Sequence, residues 1–327
     1  MGTLRLLQIG VGGFGRSWLK TIRQNPGVEL VGAVDVSEKN LLEAKEIMDN
    51  PALPTFFDHR EALRSVEADA AVIVTPPRTH LSIATDALEA GLHVFMEKPI
   101  TYSFEEAKRF YGSYEAYGRK VMVNQNYRWT REIQAVKRAI ESGAIGDIGY
   151  IDWNFRRMHV PRQGTWREHS PDFLFTDVSI HHFDLLRYFL GAEPVRIQAH
   201  GMRPPWSWCE GNMVGGAVFE FPGGITAYYF GSLEDAGTET TWNGDVRIVG
   251  KDGAIELIRD VPVWVKSDRS VEPLPLPEME YTSQSYSLHE FVRSVRSDTT
   301  PVTDLKDNVK SHDHPLRGWL DFSPIRA

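Results

Sequence analysis

One cysteine, Cys209, stands in 327 residues, which excludes an internal disulfide and fits a reducing compartment, read here as the cytoplasm. Uninterrupted apolar runs are short. None approaches the ~18 residues of a membrane span, so no membrane partner is expected. Charge of one sign is scarce as well: 36 basic residues are dispersed among 44 acidic ones for a net charge of −8. That balance gives no field to attract phosphate backbones, and nucleic acid is not an expected partner. Internal repeats and low-complexity tracts are missing, and the proline-rich run Pro273 to Pro277 reads as a surface connector. Leu4 to Val11 is apolar, but glycines and a helix pattern follow it instead of a cleavage site. The run therefore reads as a first strand and not as an export signal.

What is present divides in two. Up to about Val123, short apolar runs (Leu4 to Ile9, Glu29 to Val34, Ala70 to Val74, His93 to Met96, Lys120 to Val123) alternate with amphipathic stretches. This alternation predicts a doubly wound parallel sheet. After Val123 comes one helix, Glu132 to Ser142, and then stretches with a period of two: Ile148 to Val160, Val195 to Met202, Met213 to Phe221 and Ile225 to Ser232. Pro222, Gly223 and Gly224 make a hairpin turn between the last two. A helix over Asp177 to Leu190, stopped by Gly191, interrupts the pattern. The expected fold is α/β: a Rossmann domain over 1–123, then an α+β domain over 124–327 with a large, open, mostly antiparallel sheet.

The first strand runs into Gly10-Val11-Gly12-Gly13-Phe14-Gly15, a G-x-G-x-x-G motif between strand and helix. Gly10 permits the tight turn, Gly12 lets the backbone approach a pyrophosphate, and Gly15 lets helix and strand pack closely. Asp35 closes the second strand about 20 residues later, where a carboxylate accepts hydrogen bonds from ribose hydroxyls. The run after it, Val36-Ser37-Glu38-Lys39, lacks an arginine. NAD is expected as cofactor, with NADP the alternative because Lys39 is near. Thr75-Pro76-Pro77-Arg78-Thr79-His80 forms a stiff loop at the carboxyl edge of the sheet, where ligands of such folds bind. Glu97-Lys98-Pro99 reaches the same edge. Asp177 and His181, four apart on a helix, share a face, and Asp184 follows three later. No third ligand with metal-site spacing accompanies that pair, so no metal is expected.

Together these motifs resemble the glucose-fructose oxidoreductase, inositol dehydrogenase and rhizopine-catabolism (Gfo/Idh/MocA) family from the first strand to about residue 310. The match rests on Gly10, Gly12 and Gly15, Asp35, Thr75 to Pro77 with Thr79-His80, Glu97-Lys98-Pro99, Asn126, Arg128, Ser142-Gly143, Ile145-Gly146, and Asp177 with His181 and Asp184. The resemblance implies catalytic roles for Lys98 and His181, with Asp177 holding substrate hydroxyls. By the same resemblance Gly13, Phe14, Val36, His80, Glu97 and Asn126 line the cofactor, while Arg128, Arg157 and Trp166 join Lys98, Asp177 and His181 around the substrate. It also implies a homodimer or homotetramer formed through the open sheet. The chain departs from the family in Pro171 to Thr176, which replaces a glycine-rich lead into Asp177. It departs again where Pro315 and Gly318 argue against a long final helix.

The expected activity is hydride transfer between a nicotinamide and a hydroxyl carbon of a sugar, polyol or sugar acid. Lys98 is the acid/base with His181 in relay, or the reverse. Tryptophans 129, 153, 166, 206 and 208 offer faces for sugar stacking or fill the core, and Arg156, Arg157, Arg162 and Arg167 leave room for an acidic substrate. The alternatives are an NAD-dependent glycosidase, dehydratase or epimerase with transient oxidation, and a non-catalytic NAD-binding regulator.

Overall fold

A computed structural model describes residues 2–170 and 172–317. In its first part strands and helices alternate: β1 Leu4–Ile9, α1 Gly15–Gln24, β2 Val28–Val34, α2 Glu38–Met48, β3 Thr55–Phe56, α3 His59–Ser65, β4 Ala70–Ile73, α4 Pro77–Glu89, β5 His93–Met96, α5 Phe104–Tyr114 and β6 Val121–Val123. The strands form one parallel six-stranded sheet in the order β3-β2-β1-β4-β5-β6. The order reverses between β1 and β4, and the crevice at that switch point is where such sheets bind ligands. Both faces are covered, so Ala70–Ile73 is buried at every position, as the continuous apolar run requires. Helix starts follow local chemistry, with Ser37, Asp58 and Ser103 accepting from the third residue of α2, α3 and α5.

The second part carries α6 Arg131–Glu141, β7 Ile148–Arg156, α7 Ile180–Leu190, β8 Arg196–Met202, β9 Val214–Glu220, β10 Thr226–Ser232, β11 Asp245–Gly250, β12 Gly253–Ile258, β13 Val261–Lys266 and β14 Val271–Pro273. These eight strands form one sheet in the order β14-β13-β12-β11-β7-β10-β9-β8, antiparallel except where β10 runs parallel to β7. The expected fold class is observed. Alternation sorts the residues of β10: Tyr229 is 4% exposed and packs into the core, while Tyr228 and Phe230 are 52% and 37% exposed on the other face.

The final helices are α8 Ser283–Arg296 and α9 Leu305–Arg317. Two compact units result, Met1–Asn126 with Tyr281–Val309, and Tyr127–Glu280 with residues from Lys310 on. The division therefore differs from 1–123 and 124–327 in returning residues 281–309 to the first unit. The cause is packing: Leu288, Phe291 and Val292 on α8 join Trp18, Phe95 and Met122 in one apolar cluster. The expectation about the tail also needs correction, because α9 runs on through Pro315. A proline in the last turn removes a single backbone hydrogen bond and leaves the preceding turns intact. Gly318 lies outside the described residues. Among them, no helix is long and apolar enough to cross a membrane.

Candidate active site

In the first unit the glycine loop is a cradle that side chains would fill. Gly10 adopts φ +91°, and a Cβ on it would sit 2.6 Å from the carbonyl carbon of Val74. A Cβ on Gly15 would sit 2.9 Å from the carbonyl carbon of Gly10, and one on Gly12 3.0 Å from Cγ of Asn40. Gln8, fully buried in β1, braces the loop by donating from Nε2 to the carbonyls of Gly10 (3.0 Å) and Gly15 (2.8 Å). Gly13 and Phe14 are exposed at the tip.

Asp35 faces this loop from the end of β2. Its Oδ2 accepts from the amides of Val11 and Gly12, both at 3.0 Å, and its Oδ1 accepts from the Ser37 amide at 2.9 Å and from Asn40 Nδ2 at 3.0 Å. Val36 beside it is 90% exposed, an apolar side chain left open next to this carboxylate. These residues fit a dinucleotide: a narrow backbone cradle that side chains would fill, and at its rim a carboxylate held by the cradle's own amides.

At the same carboxyl edge, Thr75 and Pro76 are half-buried and exposed, and Pro77 is buried at the start of α4. His80 is wholly buried, with Nδ1 2.9 Å from the Pro99 carbonyl oxygen and Nε2 2.7 Å from that of Thr75. Burial pushes its pKa down to about 4 against the pull of the two carbonyls. His80 thus ties the Thr75 loop to the Lys98-Pro99 loop and offers no exposed surface to a ligand. Glu97 is buried too; its Oε1 accepts from Trp18 Nε1 (2.7 Å) and Asn124 Nδ2 (2.8 Å), and its Oε2 accepts from the Lys98 amide (3.2 Å). Burial raises its pKa above the usual carboxylate range, opposed by the Lys98 charge and these donors. Glu97 therefore anchors the turn that presents half-buried Lys98. Asn126 is half-buried and donates to Ser283 Oγ at 2.9 Å.

In the second unit the segment Leu174–Ser179 is π-helical and leads directly into α7. Asp177 lies in that wider turn, so the spacing of four to His181 is not the α-helical spacing expected. π-turns insert a residue and recur at functional sites. Asp177 is half-buried, with Arg167 Nε 3.6 Å from its Oδ2; Arg167 in turn lies over the Trp166 ring at 4.3 Å. His181 is 4% exposed, and its ring is stacked on Tyr127 with centroids 4.1 Å apart and planes 4° apart. Burial, then the Asp177 charge, raises the Tyr127 pKa, which keeps that phenol protonated. The structure so gathers Tyr127, Arg167, Asp177 and His181. Tyr127 had no signal in the sequence, since its partner lies 54 residues away.

Arg157 and Arg128 are placed differently from each other. Arg157 pairs with Glu239 at 2.8 Å and lies 4.6 Å over the Trp242 ring. Arg128 is 4% exposed and makes two 2.6 Å hydrogen bonds to Asp184, itself 1% exposed. Its guanidinium is committed to a buried ion pair. His182 points into the core, with Nδ1 3.0 Å from Tyr229 Oη and Nε2 2.8 Å from the Trp242 carbonyl, and burial pushes its pKa down to about 4. Among the described residues, no group of three or more His, Cys, Asp or Glu is placed to hold a metal ion.

Known proteins share this family and fold. Residues 4–125 match the model of an oxidoreductase family with an NAD-binding Rossmann fold, and residues 133–256 match the GFO/IDH/MocA C-terminal domain. The chain is 30% identical over 263 residues to scyllo-inositol 2-dehydrogenase (NAD(+)) of Bacillus subtilis, covering 77% of this chain and 75% of that one. Its fold matches an oxidoreductase from Agrobacterium radiobacter in complex with NAD+, L-tartaric acid and magnesium (TM-score 0.84, 21% identity, 94% and 93% of the two chains). It also matches the aldose-aldose oxidoreductase of Caulobacter crescentus complexed with glycerol (TM-score 0.86, 17% identity, 97% of each chain). By both domain matches and the inositol dehydrogenase relative, and with the six- and eight-stranded sheets that carry them, the chain belongs to the Gfo/Idh/MocA family of NAD(P)-binding oxidoreductases.

Proposed function

We propose that this protein oxidises a secondary hydroxyl of a sugar, polyol or sugar acid, or reduces the corresponding ketone, with NAD as the hydride carrier. The observation that carries the reading is the glycine cradle closed by Asp35, whose carboxylate meets a 2'-hydroxyl favourably and a 2'-phosphate unfavourably. Bound NAD supplies the hydride acceptor. Lys98, presented by a turn anchored on Glu97, takes or returns the hydroxyl proton at Nζ. His181, held against Tyr127, is the alternative acid/base, and Asp177 accepts hydrogen bonds from substrate hydroxyls. Support for a polyol or sugar comes from the inositol dehydrogenase relative. The lone cysteine fits a cytoplasmic setting.

Self-association through the second sheet belongs to the same reading. Tyr150, Tyr228 and Phe230 are 43%, 52% and 37% exposed on one of its faces, an apolar patch that a second copy would cover. Solution scattering should give a dimer or tetramer at micromolar concentration; a stable monomer would refute it.

NADH absorbance, followed across a panel of polyols, aldoses and uronates, tests the activity. Net NADH formation from at least one of them is expected. Product formed from a glycoside or nucleotide sugar without net NADH would instead favour transient oxidation. Asp35→Ala should weaken NAD binding about 10- to 100-fold through lost charge-assisted hydrogen bonds, and an unchanged affinity would count against the cofactor placement.

A further inference from the structure

Asp35 does not stand alone at the rim of the cradle. Asn40, which donates to its Oδ1, accepts in turn from Arg16 Nη2 at 3.3 Å. The same Arg16 Nη2 lies 2.6 Å from Glu43 Oε2, and Lys39 Nζ lies 3.9 Å from Glu43 Oε1. One cation, Arg16, therefore sits a single residue from the ribose-binding carboxylate, a second, Lys39, is exposed on α2, and Glu43 on the same helix faces both. Arg16 Nε is buried with no hydrogen-bond partner among the described residues, so Asn40 and Glu43 do not satisfy the whole guanidinium.

We propose that Glu43 is a specificity-determining residue: by pairing with Arg16 and Lys39 it withholds both cations from a 2'-phosphate and keeps this site selective for NAD over NADP. The inference rests on the reading of the cradle as a nicotinamide dinucleotide site. Asp35 alone repels a dianionic phosphate, but the Arg16 guanidinium one residue away, joined by the exposed Lys39 ammonium on α2, would outweigh that repulsion if neither were neutralised. Glu43 balances the local charge. Its own side chain is 30% exposed, on the surface of α2, so its replacement leaves the core untouched.

If Glu43 were only an ordinary surface ion-pair partner, its removal would change stability slightly and nucleotide preference not at all. The test is titration of NAD+ and NADP+ into wild type, Glu43→Gln and the triple variant Glu43→Gln/Arg16→Gln/Lys39→Gln, followed by quenching of tryptophan fluorescence. In Glu43→Gln the NADP+ to NAD+ affinity ratio should rise about tenfold at low ionic strength, the size expected for releasing a guanidinium to a phosphate at a partly exposed site. The gain should shrink in 0.5 M salt, because exposed pairs are screened. The triple variant should return the ratio to the wild-type value. A ratio unchanged within twofold in Glu43→Gln, or a gain that survives removal of both cations, overturns the proposal. Wild type that binds neither nucleotide overturns the cofactor reading itself, and the proposal with it.

Discussion

Replacing Arg128 with methionine removes a buried guanidinium whose Nε and Nη2 each sit 2.6 Å from the Asp184 carboxylate. The resemblance assigned Arg128 to the substrate; its burial and pairing assign it to stability. The surroundings order the expected costs. In Arg128→Met the Asp184 carboxylate keeps a hydrogen bond from Ser311 Oγ at 2.9 Å and the Arg187 Nη1 charge at 3.5 Å. The loss is then about 2 to 3 kcal/mol, below the usual range for a broken buried pair. In Asp184→Asn two guanidiniums lose their shared carboxylate. Arg187 keeps its paired hydrogen bonds to Glu193, at 2.6 and 2.8 Å, so most of the penalty falls on Arg128, which keeps the Tyr188 ring 5.2 Å from its guanidinium, and reaches about 3 to 4 kcal/mol. The double variant Arg128→Met/Asp184→Leu removes both charges and should cost less than Asp184→Asn alone, because apolar replacement of a whole pair avoids an uncompensated charge. Urea unfolding read by near-ultraviolet circular dichroism measures all three. Stability within 0.5 kcal/mol of wild type for Arg128→Met, accompanied by a raised KM, would refute this reasoning and restore Arg128 to the substrate.

The glycine cradle separates two substitutions two residues apart. Gly15→Ala should destabilise by about 1 to 3 kcal/mol through overpacking, despite the better helix propensity of alanine, since its Cβ meets the Gly10 backbone. Gly13→Ala, at φ +46° with nothing within 4 Å, should cost only about 1 kcal/mol of backbone strain; equal melting temperatures for the two would contradict the model of the loop. For the reaction, Lys98→Met should lower kcat by ~10²- to 10⁴-fold with NAD affinity little changed, whereas Asp177→Asn should raise KM as well. Full turnover in Lys98→Met would make that lysine structural and His181 the leading base. Finally, the hydrogen bond from Arg5 holds the Asp69 carboxyl below its usual range. A depressed carboxylate stabilises the fold above its unfolded value, near 3.8, and loses that contribution as pH falls through the folded one. Arg5→Gln should therefore lower stability only slightly at neutral pH, given solvent screening, and flatten the acid limb of stability; an unaltered limb would exclude Asp69 as a contributor.

Much of the first unit was legible because its signals are local. The parallel strands announce themselves as short apolar runs, helix caps lie within three residues of the amides they serve, and the glycine motif demands a strand before it and a helix after it. The strand Thr55–Phe56 escaped notice since two residues carry no period. In the second unit the hairpin of β9 and β10 was readable from its turn, whereas β11 to β14, short strands with weak alternation, were not.

The sequence by itself determined the strands and helices of strong local period, their apolar faces, and the G-x-G-x-x-G and Asp35 pair, all properties of residues within a turn or two of each other or of one strand–helix–strand unit. Only the tertiary structure decided who meets whom. Arg128 found Asp184 across 56 positions, Tyr127 found the His181 ring, and α8 returned to complete a core begun at Leu4. The wider turn at Leu174–Ser179 likewise reset the register of Asp177 against an α-helical spacing. Each of these depends on packing and charge pairing between segments distant in the chain, whose free energy appears only when the segments are brought together, and no local period records it.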